Sequence, residues 1–116
     1  MVSTKHFIFN ENSIKDLVHG MGYSICSNKI TVDGELVGFM YREEPIDDED
    51  SGWRFLSGTE SQEYADNPEN SKVFGVNTVA NHDQSIIPYL KLPVGSEFER
   101  IEGKDEFKPF KFDDFE

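Results

Sequence analysis

"YSICSNKITVDGELVGFMYRE", residues 23–43, decides the fold. Two alternating runs of apolar and polar residues flank Asp33-Gly34, a dipeptide favoured in two-residue type I′ turns because both central positions need positive φ. The expectation is an antiparallel hairpin. In that register Val32 faces Glu35, Ile30 faces Val37, Asn28 faces Phe39 and Cys26 faces Tyr41, giving one mostly apolar side. The other side carries Ser27, Lys29, Thr31, Leu36, Gly38 and Met40.

Working outward, "GWRFL" at residues 52–56 alternates Trp53 and Phe55 with Arg54 and Leu56 and predicts a third strand. The acidic run before it becomes a connection between strands. Residues 59–72 are polar and punctuated by Asn67-Pro68, which predicts a loop or a single helical turn. "VFGV" reads as a strand, followed by a bend and a short helix over residues 84–90 capped by Asp83. "SEFERI" and "EFKPF" close the chain as strands, the last confined to an edge by Pro109, with a frayed tail at residues 111–116.

Toward the N-terminus, Ile14, Leu17, Val18 and Met21 recur at helical spacing. An amphipathic helix over residues 12–20 is expected, with Asn10 or Asn12 as cap and Gly20 or Gly22 as stop. The sum is a single α+β domain over residues 1–116. It is a strongly bent antiparallel sheet of about five strands, with room to close halfway into a barrel, carrying an N-terminal amphipathic helix and a short second helix.

The charge limits the partners. With 23 acidic and 11 basic side chains the chain carries −12, a field that repels nucleic-acid phosphates and anionic lipid and attracts basic proteins. Direct nucleic-acid or membrane binding is not expected. The same acidity also serves plain solubility. Ten Phe, four Tyr and one Trp supply bulk for a core despite few aliphatics. Cys26 stands alone, so no internal disulfide forms, and no signal segment or membrane span is visible, which points to a reducing cytoplasm.

No catalytic or metal motif has the spacing its chemistry needs. "DDEDSG" begins like a calcium loop, with Asp47, Glu49 and Ser51 at alternate positions and Gly52 sixth. Position twelve, however, is Gly58, where a bidentate carboxylate is needed. Cys26 with His82 and Asp83, or with His6 or His19, lacks a signature that brings a thiolate to a base, and a buried inert thiol explains it. One cysteine and three scattered histidines do not supply a zinc site. "HGMGYS" lacks the order and the lysine of a phosphate loop. Carboxylates are too numerous for an acid–base pair to be singled out. No catalytic residue, metal or cofactor is expected.

What remains is a cluster around the acidic run: Glu43, Glu44, Asp47, Asp48, Glu49, Asp50, Trp53, Arg54, Glu60 and Tyr64, with Glu63 nearby. Tryptophan, tyrosine and arginine anchor interfaces, and an acidic rim steers a basic partner toward them. The competing reading buries Trp53 in the core and leaves the acids to keep a loop in water.

Three stretches also resemble a known family: "CSNKITVDGELVGFMYREEP", "DSGWRFLSGTES" and "VNTVANHDQSIIPYL" with "PVGSEFER" after it. They look like the bacterial immunity proteins of family thirty-three, formerly a domain of unknown function. The likeness spans about residues 25–100 and excludes the predicted N-terminal helix. Positions carried over as family features are Tyr41, Arg42, Glu43, Glu44, Pro45, Ser51, Gly52, Trp53, Arg54 and Phe55. The resemblance implies a small cytoplasmic protein that protects its producer by binding a polymorphic toxin, with no catalytic residues to transfer. Two alternatives stay open. One is a housekeeping or regulatory interaction module without a toxin. The other is a small ligand-binding or hydrolase barrel, which predicts a deep pocket lined by Trp53, Tyr64 or Tyr89 with carboxylates at its base.

Overall fold

The computed structural model describes residues 14–110. Strands β1 (Tyr23–Ser27), β2 (Phe39–Arg42), β3 (Asp50–Leu56), β4 (Ser71–Gly75), β5 (Glu97–Arg100) and β6 (Phe107–Pro109) form one open sheet in the order β4-β1-β3-β2-β5-β6. The helices are α1 (Asn28–Thr31), α2 (Gln62–Asp66) and α3 (Val76–His82), with 3-10 turns at Pro68–Asn70 and Gln84–Tyr89. The α+β class is as expected, and the strands at β3, β4, β5 and β6 lie where the sequence places them.

The sheet is mixed rather than antiparallel, because β1 and β3 run parallel and β3 separates β1 from β2. The predicted hairpin does not form. Ser27 accepts a hydrogen bond from the Lys29 amide at 3.1 Å and caps α1. Gly34 then ends the turn with φ of 80°, its amide bonding the Ile30 carbonyl and that of Glu35 the Lys29 carbonyl. Asp-Gly suits a helix stop in the left-handed region as well as a type I′ turn. With the helical turn in place Ile30 and Thr31 are both buried, where the hairpin register would have put them on opposite sides.

The expected N-terminal helix is absent from its described part, residues 14–20; residues 12 and 13 lie outside the described residues. Asn77 of α3 explains this, since its Oδ1 accepts the Leu17 and Val18 amides at 2.8 and 2.9 Å while its Nδ2 donates to the Lys15 carbonyl. Backbone groups that a helix would pair with one another are bonded to α3. Leu17, Val18 and Met21 still pack against the core. Helix α3 itself falls where the sequence reading placed only a bend.

One sheet face carries the core. Met40, Trp53, Phe55 and Phe98 point into it against Val79 of α3 and Ile86 of the second 3-10 turn. Trp53 and Phe55, two apart on β3, stack with ring centres 6.0 Å apart. The opposite face follows from strand alternation and from the register Tyr41↔Arg54 and Phe39↔Leu56.

Candidate functional site

A bulge builds the site. Three residues of β1 oppose five of β3, from the pair Tyr23↔Asp50 to the pair Ile25↔Arg54. Gly52 sits in this irregularity with φ of 88°, and a Cβ there would lie 2.3 Å from the Glu43 carbonyl oxygen. Only glycine fits so close an approach. The distortion brings Asp50 and Arg54 together on one strand and sends Trp53 into the core.

Asp50 is the hub. Its Oδ1 accepts from Arg54 Nη1 at 3.0 Å and the Gly52 amide at 2.8 Å; its Oδ2 accepts from Arg54 Nη2 at 2.8 Å and the Ile46 amide at 2.8 Å. Arg54 Nε donates to Glu43 Oε2 at 2.6 Å. The Arg54 hydrogen bonds hold the Asp50 carboxyl well below the usual range against the opposing effect of burial, and Asp50 and Glu43 in turn raise the guanidinium.

The connection from β2 to β3, residues 43–49, hangs from this hub. Asp47 Oδ1 accepts the Glu49 and Asp50 amides, and its Oδ2 accepts the Tyr23 hydroxyl at 3.0 Å. The Tyr23 hydroxyl is raised, by desolvation first and then by Asp47. Glu43, Asp47 and Asp50 therefore shape the loop. Glu44, Asp48 and Glu49 are exposed and present charge to solvent.

The ten residues singled out from the sequence divide by burial. Trp53 is 0% exposed, its indole N–H donating to the Leu90 carbonyl at 2.9 Å, so it packs in the core. Arg54 and Asp50 are buried beneath the loop. Glu60 caps its own turn, accepting the Ser57 and Gly58 amides at 2.9 Å each. Burial raises its carboxyl, and donors that include the Ser27 hydroxyl outweigh that, leaving it below the ordinary value. Tyr64 is half-buried with the Lys29 ammonium 5.0 Å from its ring centre. Ile46, 71% exposed in the middle of the acidic loop, was missed. Its signal was present, since no solubility argument places an isoleucine between Pro45 and Asp47.

Among the described residues no three His, Cys, Asp or Glu side chains are grouped to hold a metal ion. Of the groups a calcium loop would use, the Asp47 oxygens accept from backbone amides and the Tyr23 hydroxyl, and the Ser51 hydroxyl donates to the Tyr23 carbonyl. The Cys26 thiol is buried, and burial pushes its pKa far up. An open hollow of about 620 Å³ lies elsewhere, bordered by Asp83, Ser85, Tyr89 and Asp105. Asp83 there is engaged by Arg100 and by the Val37 amide. Trp53, being fully buried, cannot line an accessible pocket with Tyr64 or Tyr89.

The chain is thus an α+β protein, an open six-stranded mixed sheet with a braced acidic loop between β2 and β3. It belongs to the family described as Immunity protein Imm33 domain, whose pattern matches residues 24–111, about three quarters of the chain. No curated protein and no solved structure matches it. Family membership suggests toxin-neutralising immunity and a toxin as partner. No described helix is long and apolar enough to cross a membrane.

Proposed function

We propose that the chain neutralises a cognate toxin by docking the acidic loop, residues 43–50, on a basic surface of that toxin, without a catalytic step of its own. The observation that carries this is the Asp50–Arg54 brace. It holds Glu44, Ile46, Asp48 and Glu49 outward in one shape, so less ordering entropy opposes binding than a free acidic loop would incur. A net charge of −12 accelerates encounter with a cationic partner. Ile46 supplies an apolar contact inside a charged rim. A nuclease cleft fits this chemistry, because carboxylates would stand where substrate phosphates bind. The setting is the cytoplasm, where lone Cys26 stays reduced.

The test is co-expression with the toxin domain encoded beside this chain's gene. The native chain should restore growth, and the triple reversal E44K/D48K/E49K, which spares the bracing residues, should protect poorly. Equal protection by the reversed protein would remove the loop as the docking site.

A further inference from the structure

Helices α1 and α3 and the second 3-10 turn contribute to the core on one sheet face. On the other, among the described residues, α2 and the turn after it stand over part of the surface. One row of this face runs Val73, Ile25, Arg54, Tyr41 and Glu97 across β4, β1, β3, β2 and β5, set by the register Ile25↔Val73, Ile25↔Arg54, Tyr41↔Arg54 and Tyr41↔Glu97; Val73 is exposed, Ile25, Tyr41 and Glu97 are half-buried, and Arg54 lies buried between them. Ala65 of α2 borders two open hollows here. One, of about 340 Å³, is bordered by Leu56, Gly58, Gln62, Glu60 and Glu99. The other, of about 400 Å³, is lined by Ile25, Val73 and Pro68. Val73 is 61% exposed and lies beside the half-buried Ile25.

This face adjoins the acidic loop, since Arg54 donates to Glu43 and the Tyr23 hydroxyl donates to Asp47. The charges along it are mainly negative, from Glu43, Asp47, Glu60, Glu97 and Glu99, against Lys72 and a Lys108 already 3.5 Å from Glu99. A second copy of this acidic chain would be repelled.

Resting on the toxin-binding reading, we infer that the toxin's contact continues from the acidic loop across this sheet face. A segment carrying both basic and apolar side chains lies there. Its apolar groups enter the two hollows beside Ala65, and its lysines or arginines meet Glu60, Glu97 and Glu99. The loop steers the encounter, and the face supplies the buried apolar area that slows dissociation.

The test measures affinity for the purified toxin domain encoded beside this chain's gene, its active site silenced. It compares the native chain, E44K/D48K/E49K, Ala65→Arg and Val73→Lys. Both face positions are exposed, so thermal midpoints should match the native one. The inference predicts that each face variant weakens binding roughly tenfold or more, mainly through faster dissociation. In the native chain, the toxin should shift NMR signals of Ile25, Leu56 and Val73, a readout that does not depend on the variants folding. Native-like binding by both face variants, with shifts confined to residues 43–50, overturns the inference and leaves the loop reading standing. Tighter binding by Ala65→Arg, or a native dimer that it dissociates, assigns the face to the chain's own terminus or to a second copy and also overturns it. A native chain that fails to bind the toxin at all refutes the loop reading and the inference together.

Discussion

Arg54 grips both carboxylate oxygens of Asp50, four residues earlier on the same strand, at 3.0 and 2.8 Å. In a regular strand residues four apart stand about 13 Å apart at their Cα atoms. The bulge at Gly52 is what lets the pair meet. Once closed, it fixes the shape of the loop by holding the Ile46 amide from below and drawing in Glu43.

Removing one partner should therefore be costly. Asp50→Ala leaves a buried guanidinium with only Glu43 for charge and frees two amides, which predicts a loss of about 3–5 kcal/mol. Urea unfolding measures it. A loss below about 1 kcal/mol would mean that water replaces the carboxylate without penalty.

The same pair sets an acid dependence. Because the folded Asp50 carboxyl is depressed, its contribution is fully present above the unfolded-state value of about 4 and is lost as pH falls toward the lower folded value. The unfolded chain binds the proton first, so acid favours unfolding. Between pH 5 and 2 the native urea midpoint should fall more steeply than that of Asp50→Asn. Parallel curves would deny the brace its ionic character.

Glycine substitutions separate strain from collision. Gly95→Ala meets nothing within 4 Å and should cost only the price of a left-handed alanine, about 1–2 kcal/mol. At Gly52 the new Cβ also strikes the Glu43 carbonyl, so Gly52→Ala should lose clearly more and loosen the acidic loop. Equal losses in thermal unfolding would show that the backbone at Glu43 yields freely.

Trp53 is the sole tryptophan, fully buried and bonded to Leu90. Its fluorescence should resist iodide quenching and change little when toxin binds at the surface. Quenching close to that of free indole would place it in solvent instead.

How far the sequence discloses this protein depends on whether local chemistry has one solution. Trp53 and Phe55 alternate cleanly, and Pro109 fits only an edge, so β3 and β6 are legible. Asp33-Gly34 fits two solutions, and the choice between them rests on Ile30 and Thr31 both being buried, a fact of tertiary packing. Helix α3 has the spacing of Val76, Val79 and Ala80 but follows β4 at Gly75 without a side-chain cap, so its start carries no signal. Leu17 and Val18 show helical spacing, yet Asn77, sixty residues away, takes their amides. The acidic loop is visible as charge alone. Its division into bracing Glu43, Asp47 and Asp50 and outward Glu44, Asp48 and Glu49 depends on where Arg54 lands, and a bulge decides that.

The most direct measurement is the association rate of the silenced toxin domain with the native chain and with E44K/D48K/E49K across ionic strength. Loop-first docking predicts a native rate that falls steeply with salt, and a reversed protein at least roughly tenfold slower at low salt, the two converging when charges are screened. Rates that coincide at every salt concentration would contradict docking through the acidic loop.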